Sequence, residues 1–493
     1  MKFGDYPKMA SFDGVAGFRA YLTSLDLGMP CDDVVEHGPA SPLAQPVDVD
    51  GMHIGHRIAI QPMEGWDGEK DGRPSPNTLR RWQRFGASGG KMIWGGEAVA
   101  VTPEGRANPH QVTMTADSQG AIAGLREALV ISHREAAGDD KGLVIGLQLT
   151  HSGRFCKPHD HRRFEPVIAY RHPLLDRKFH LADDHQPMSD DDIARLIDLF
   201  VVAAKRAQQC GFDFVDVKHC HGYLAHELLS ATPRPGPYGG SLENRTRFLK
   251  EVVAGIRAEA PGLGIGVRLS AIDLVPYKPD PARSKPGALG PGVPEDFSGL
   301  LPYHLAFGAN PSDPTQFDLA EPFAFFEILR GLKIHLVNVT AGSPYYNPHV
   351  TRPAIYPPSD GYVPPEEPLA GVMRQLDVVR QLKQKFPEFC LMGSGYTYLQ
   401  EFFPHVAQAV VRAGWVDLVG LGRMVLSYPD LPLDILHGRP FRPKLLCRTF
   451  SDCTTAPRNG IVSGCYPLDA HYKKSPESAQ LAAVKKAGKV AAL

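Results

Sequence analysis

The chain has 493 residues, 43% hydrophobic and 22% charged, with a formal net charge of −1. Such a composition supports a large apolar core and excludes a disordered chain. The balanced charge gives no global field to gather nucleic acid or an anionic membrane surface, so neither is expected as a partner.

Residues 1–40 read as an N-terminal extension, without the basic-then-apolar pattern of a signal peptide. No apolar run approaches the ~20 residues that cross a bilayer. Eight short apolar runs follow: HRIAIQ (56–61), KMIW (91–94), GLVIGLQL (142–149), FDFVDV (212–217), LGIGVRLS (263–270), KIHLVNVT (333–340), EFCLMG (388–393) and VDLVGLG (416–422). Their near-continuous apolar character predicts strands covered on both faces, as in a parallel sheet.

Between two of these runs, residues 189–211 predict a helix. Ser189 caps it, acids fill its first turn, Ile193, Leu196, Ile197, Phe200 and Ala204 form its apolar stripe, and Gly211 ends it. Residues 242–262 read the same way. Eight strand–helix alternations point to an α/β fold, a (β/α)8 TIM barrel over 41–440. A doubly wound sheet is the rival, but no G-x-G-x-x-G follows an early strand. The Pro/Gly-rich span 271–330 reads as an insertion loop after strand five, on the face where barrels place their chemistry. Residues 441–493 form a C-terminal extension ending in a Lys/Ala-rich segment that predicts a frayed helix.

The C-terminal strand ends converge in a barrel. They carry Gln61-Pro62-Met63-Glu64, Ala98, Gln148, Lys218 with His221 and Tyr223, Arg268, Gly395, and Gly422-Arg423. This mix suits a planar, hydrogen-bonding cofactor that bears a phosphate. The Gln148 amide both donates and accepts, Arg268 meets negative charge, and the late glycine loops offer backbone N–H groups. Each residue also has an ordinary reading: Lys218 can pair with a nearby acid, Glu64 with a nearby donor, and Trp66 can simply pack. The HDH stretch at 159–161 reads as a solvated loop.

The segments IQPMEGWDG, GGEAVAVTPEGRANP, LQLTHSGR, KHCHGYLAHELLSATPRPGPYGGSLENRTRF, VRLS, GSGYTY and DLVGLGRMVLSYPDLP together resemble the Old Yellow Enzyme family of FMN-dependent oxidoreductases. The branch is the one that includes 2,4-dienoyl-CoA reductase and trimethylamine dehydrogenase. The resemblance implies FMN held by Gln61, Pro62, Met63, Glu64, Ala98, Gln148, Arg268, Gly395, Gly422 and Arg423. It implies NADH or NADPH as electron donor and an activated C=C bond in an α,β-unsaturated carbonyl or thioester as acceptor. Tyr223 would be the proton donor, His221 and Lys218 would hold the substrate oxygen, and Trp66 would contact the substrate.

Three positions depart from the family pattern. Lys218 stands where a His is usual, Glu64 where a Thr or Cys is usual, and Gly236 where an acid is usual. The second function the resemblance allows is a flavin-dependent oxidative demethylase or amine dehydrogenase, with Trp66, Tyr345 and Tyr346 as a cage for the cation; Lys218 argues against it.

Eight cysteines are few for this length, and five of them (Cys31, Cys156, Cys210, Cys220, Cys390) lie far apart. That favours a reducing, cytoplasmic setting. Cys447, Cys453 and Cys465 match the first, third and fourth positions of the C-x2-C-x2-C-x11-C cluster motif of the iron–sulfur branch. Phe450 takes the second. The expectation is a degraded site, without an intact [4Fe–4S] cluster or another metal. A small-molecule substrate is expected, and homo-oligomers are left open.

Overall fold

The eight apolar runs become eight parallel strands in the computed structural model of the protein, which describes residues 6–285 and 289–487. They are β1 (Ile58–Ile60), β2 (Met92–Ile93), β3 (Val144–Thr150), β4 (Phe214–Val217), β5 (Gly264–Ile272), β6 (Leu336–Ala341), β7 (Cys390–Gly393) and β8 (Leu418–Leu421). Each strand pairs in parallel with the next, and Val419 of β8 lies opposite Ile58 of β1, so the sheet closes. The main helices between strands are α1 (Pro76–Ala87), α2 (Gln119–Ala137), α3 (Asp190–Gln209), α4 (Arg247–Glu259), α5 (Ala320–Gly331), α6 (Pro368–Lys385) and α7 (Phe403–Arg412). The expected (β/α)8 barrel is the fold that forms.

The continuous apolar runs conceal a period of two. On β1, β3, β4 and β8, residues such as Ile58, Ile60, Ile145, Leu147, Val215, Val217 and Val419 pack outward into the core beneath the helices. The alternate residues Ala59, Met92, Trp94, Val144, Phe214, Leu336, Met392 and Leu418 form a separate cluster inside the barrel. Further up the same inward rows stand Gln148, Asp216, Arg268 and Asn338. The barrel interior is therefore apolar at one end and polar at the other, and the polar end carries the chemistry.

Local sequence explains most element ends. Ser189 accepts from the Asp192 N–H while the Asp192 side chain accepts from the Ser189 N–H, the capping box that starts α3. Residues 242–262 are not one helix. Leu242–Arg245 and Arg247–Glu259 meet at Thr246, whose hydroxyl donates to the Leu242 and Glu243 carbonyls. After β2 the chain kinks through Gly95 at φ +121°, where a Cβ would lie 2.8 Å from the Gln148 nitrogen. Ala98–Ala100 then resumes pairing with β3.

The N-terminal extension is anchored by helix Gly14–Ser24, whose Phe18 stacks on Phe402 at 4.3 Å. A hairpin, Val47–Val49 with Met52–Ile54, closes the apolar end of the barrel by adding Val49 and Ile54 to the interior cluster. The 271–330 span is more ordered than a loop. It holds a hairpin, Tyr277–Pro279 with Gly292–Pro294, and its last part is α5, where Pro322, Phe325, Phe326 and Leu329 are buried. In the tail, Pro476–Ala487 is helical, and the rest of that segment lies outside the described residues. Among the described residues no helix is long and apolar enough to cross a membrane.

Candidate active site

A cavity of about 310 Å³ opens at the polar end of the barrel. Every strand-end residue singled out from the sequence lines it except Ala98, together with Trp66. Ala98 is buried opposite Gln148, and its carbonyl accepts from Gln111 Nε2 at 2.7 Å. The Gly95 kink leaves it beside β3 rather than in the cavity wall.

The floor is a cross-linked set of polar side chains. Asp216 accepts from Trp94 Nε1 at 2.8 Å, Gln148 Nε2 at 2.6 Å and the Arg268 backbone N–H at 2.7 Å. Burial pushes the Asp216 carboxyl above its usual range against these donors, and burial also lowers Arg268. Gln61 Nε2 donates to Gly393 O at 3.1 Å and Ser394 Oγ at 3.0 Å, and its Oε1 accepts from Asn338 at 2.7 Å. Gln61 thereby ties β1 to β6 and β7.

One wall gathers titratable side chains. Tyr223 Oη donates to Glu64 Oε2 at 2.8 Å and lies 3.0 Å from the Tyr345 hydroxyl. Glu64 also accepts from Trp66 Nε1 at 3.2 Å, with Lys218 Nζ at 3.8 Å. Lys218 Nζ sits 3.6 Å from the centre of the Tyr223 ring, over its face. Burial raises Glu64 and lowers Lys218, each opposed by the other's charge, so both are drawn toward neutrality. Burial, with Glu64 and Tyr345 nearby, holds the Tyr223 phenol well above its ordinary range.

His221 takes a left-handed backbone, φ +67°, fixed by Ser270 Oγ accepting its N–H and Ser343 Oγ donating to its carbonyl. Such strain in a non-glycine residue survives where the surroundings over-determine it. Burial and the neighbouring Arg268 and Lys218 charges hold the imidazole well below its usual pKa, so it stands neutral.

Five residues lining the cavity carry a buried polar atom with no hydrogen-bond partner among the described residues: Arg84 Nε, His221 Nε2, Arg268 Nε, Thr351 Oγ1 and Arg423 Nη1. Buried donors of this kind normally find acceptors. Gly395 turns at φ +91° beside Ser394, and Gly422 leads into Arg423. The set fits a planar ligand with acceptors over Gln148 and Arg268 and an anionic group near Gly395, Gly422 and Arg423.

The C-terminal extension roofs the cavity, through contacts with residues distant in sequence. Asp469 accepts from both Arg80 nitrogens, at 2.8 and 2.9 Å. Arg352 donates to Ser451 Oγ at 3.2 Å and to Thr454 Oγ1. Arg458 pairs with Asp360, donates to Pro344 O at 3.0 Å and lies 5.8 Å from the Tyr345 ring centre. Cys453 and Cys465 line this end of the cavity, and Cys447 is buried beside Met424, whose sulfur accepts its N–H at 3.3 Å. Burial raises the Cys447 and Cys465 thiols. Among the described residues no group of three or more metal-ligating side chains is poised to hold an ion.

Residues 42–282 match the NADH:flavin oxidoreductase / NADH oxidase family. An NADPH dehydrogenase of Halalkalibacterium halodurans is 32% identical over 229 residues, 46% of this chain and 62% of that one. A putative 12-oxophytodienoate reductase 3 of Oryza sativa is 30% identical over 260 residues, 51% of this chain and 63% of that one. The match thus spans under two thirds of these relatives' own length. The fold is similar to that of 2-naphthoyl-CoA reductase with 2-naphthoyl-CoA, at a TM-score of 0.62, 17% identity, 89% of this chain and 58% of that one.

Proposed function

We propose that this protein is an FMN-dependent oxidoreductase that uses NADH or NADPH to reduce a C=C bond conjugated to a carbonyl or thioester. The observation that carries the reading is the convergence, in one cavity, of a Gln148–Arg268 floor with a Lys218, His221 and Tyr223 wall. The match of residues 42–282 to the NADH:flavin oxidoreductase / NADH oxidase family and the similarity to NADPH dehydrogenases and a 12-oxophytodienoate reductase support it. The residues assigned to cofactor and substrate lie within 41–440, and the C-terminal extension roofs their cavity.

Gln148 and Arg268 would hold the flavin ring, with Gly395, Gly422 and Arg423 at its phosphate. When bound, that group supplies hydride exchange between the nicotinamide and the alkene. Everything else falls to side chains of this chain. His221 Nε2 is free to donate to the substrate carbonyl oxygen once its tautomer places the proton there. Lys218 stabilises charge that develops on the same oxygen. Tyr223 Oη delivers a proton to the carbon next to the carbonyl. Trp66 and Tyr345 line the approach and limit water.

Oxidation of a cationic amine is the weaker reading, because Lys218 would set a second cation beside it and Tyr346, the third member of the expected cage, lies off the cavity with its hydroxyl on Asp273. The experiment is the anaerobic visible spectrum of the purified protein before and after NADH or NADPH. Yellow absorbance that bleaches supports the proposal, whereas a colourless protein, or one bleached by amines alone, counts against it.

A further inference from the structure

Tyr223 spends one proton per turnover, and its surroundings restrict where the next one comes from. Its side chain is nearly sealed, with the residue 3% exposed. Lys218 Nζ lies over the ring face, off the line of the hydroxyl, and so cannot donate along it. The Tyr345 hydroxyl at 3.0 Å belongs to another phenol that burial and Glu64 hold above its ordinary range, so it adds no net acid. The remaining neighbour is Glu64, 2.8 Å away and 13% exposed at its side chain.

We infer that Glu64 is a proton relay that reloads Tyr223 from solvent, acting through the tyrosine rather than on the substrate. This rests on the alkene-reduction reading above. During turnover the Tyr223 O–H bond breaks and a C–H bond forms as the substrate enolate becomes the saturated carbonyl compound. The electron pair has already arrived as hydride from the nicotinamide donor. The Glu64 O–H bond then breaks and the Tyr223 O–H bond re-forms along the same 2.8 Å contact. A carboxylate is left beside Lys218, and it takes its proton from water as product leaves. Trp66 Nε1 at 3.2 Å and Gln111 Nε2 at 3.5 Å keep the carboxyl pointed at the tyrosine through both states. The charged and titratable groups that face the relay are Lys218 at 3.8 Å, Tyr223 and Tyr345, with Arg268 behind Lys218 and Arg458 behind Tyr345.

The test has two arms. In infrared difference spectra of the full-length protein near pH 7, the relay requires a protonated-carboxyl band that E64Q abolishes and Y223F shifts. In stopped-flow alkene reduction, E64Q should release one product per site in a fast burst. Steady turnover should then fall about 10²-fold, and added small acids should restore it. No carboxyl band, or an E64Q enzyme with neither burst nor acid rescue, overturns the relay. If alkenes fail to reoxidise the wild-type protein, the reaction assignment falls instead, and the infrared arm alone decides whether Glu64 holds the proton.

Discussion

The floor of the cavity is made by side chains from different strands that bond one another directly, most of them across the barrel: Asp216 to Trp94 and Gln148, Gln61 to Asn338 and Ser394. The roof is made by the C-terminal extension and is tied to the barrel by separate polar contacts, among them Asp469 with Arg80, Arg458 with Asp360 and Arg448 with Glu401. The floor is bound into the packing that closes the barrel. The roof can be loosened one tie at a time. Stability should therefore reside in the floor, with access to the site governed by the roof.

The sharpest way to break this contrast is inside the barrel. Trp94→Ala removes a fully buried ring that packs edge-on to Phe214 at 5.2 Å and donates to Asp216. Loss of about 3–5 kcal/mol is expected, read by denaturant unfolding. Arg268→Ala leaves the fold nearly intact and removes the floor's cation. Cofactor affinity should fall about 10²-fold, measured by flavin titration of the apoprotein.

Asp469→Ala tests the roof. Cutting its bidentate tie to Arg80 should cost about 1–3 kcal/mol, expressed as faster proteolysis within 441–487 while barrel unfolding stays close to wild type. A large global destabilisation would erase the distinction between the two regions.

The smallest effect, group by group, is protonation of buried histidines. Burial pushes His172 and His226 down to about 3. Below the ordinary histidine pKa of about 6.5 the unfolded chain takes up protons that the folded one refuses. Their contribution is thus complete above that value and is lost as pH falls toward 3, at no more than about 1.4 kcal/mol per group per pH unit. Melting temperature should decline steadily from pH 7 to pH 5, and a flat profile would contradict the assignment.

The floor and the roof also differ in how far the sequence discloses them. Strand positions were readable because each buried strand is a short apolar run, and the inward polar residues stand at its end. The same order brought Gln148, Lys218, Tyr223 and Arg268 to one cavity. Ala98 alone among the strand-end residues stands outside the cavity lining, because a glycine kink, a matter of backbone angles, turns its segment aside. The Thr246 break was hidden because threonine bonds back to its own turn without changing the apolar period. Arg80 and Asp469 lie 389 residues apart, and no local pattern announces such a pair. Tyr345 was visible as an aromatic, but its hydrogen bond to Tyr223 needs the geometry of the loop after β6.

The wall of Lys218, His221 and Tyr223 is the part on which the proposed function depends most. The direct measurement starts from protein reduced anaerobically with NADPH and mixed with an α,β-unsaturated ketone in a stopped-flow instrument, comparing wild type with Tyr223→Phe. Return of the yellow absorbance in wild type, slowed about 10²-fold or more in the variant, is the expected result. Equal reoxidation rates in the two proteins would contradict it.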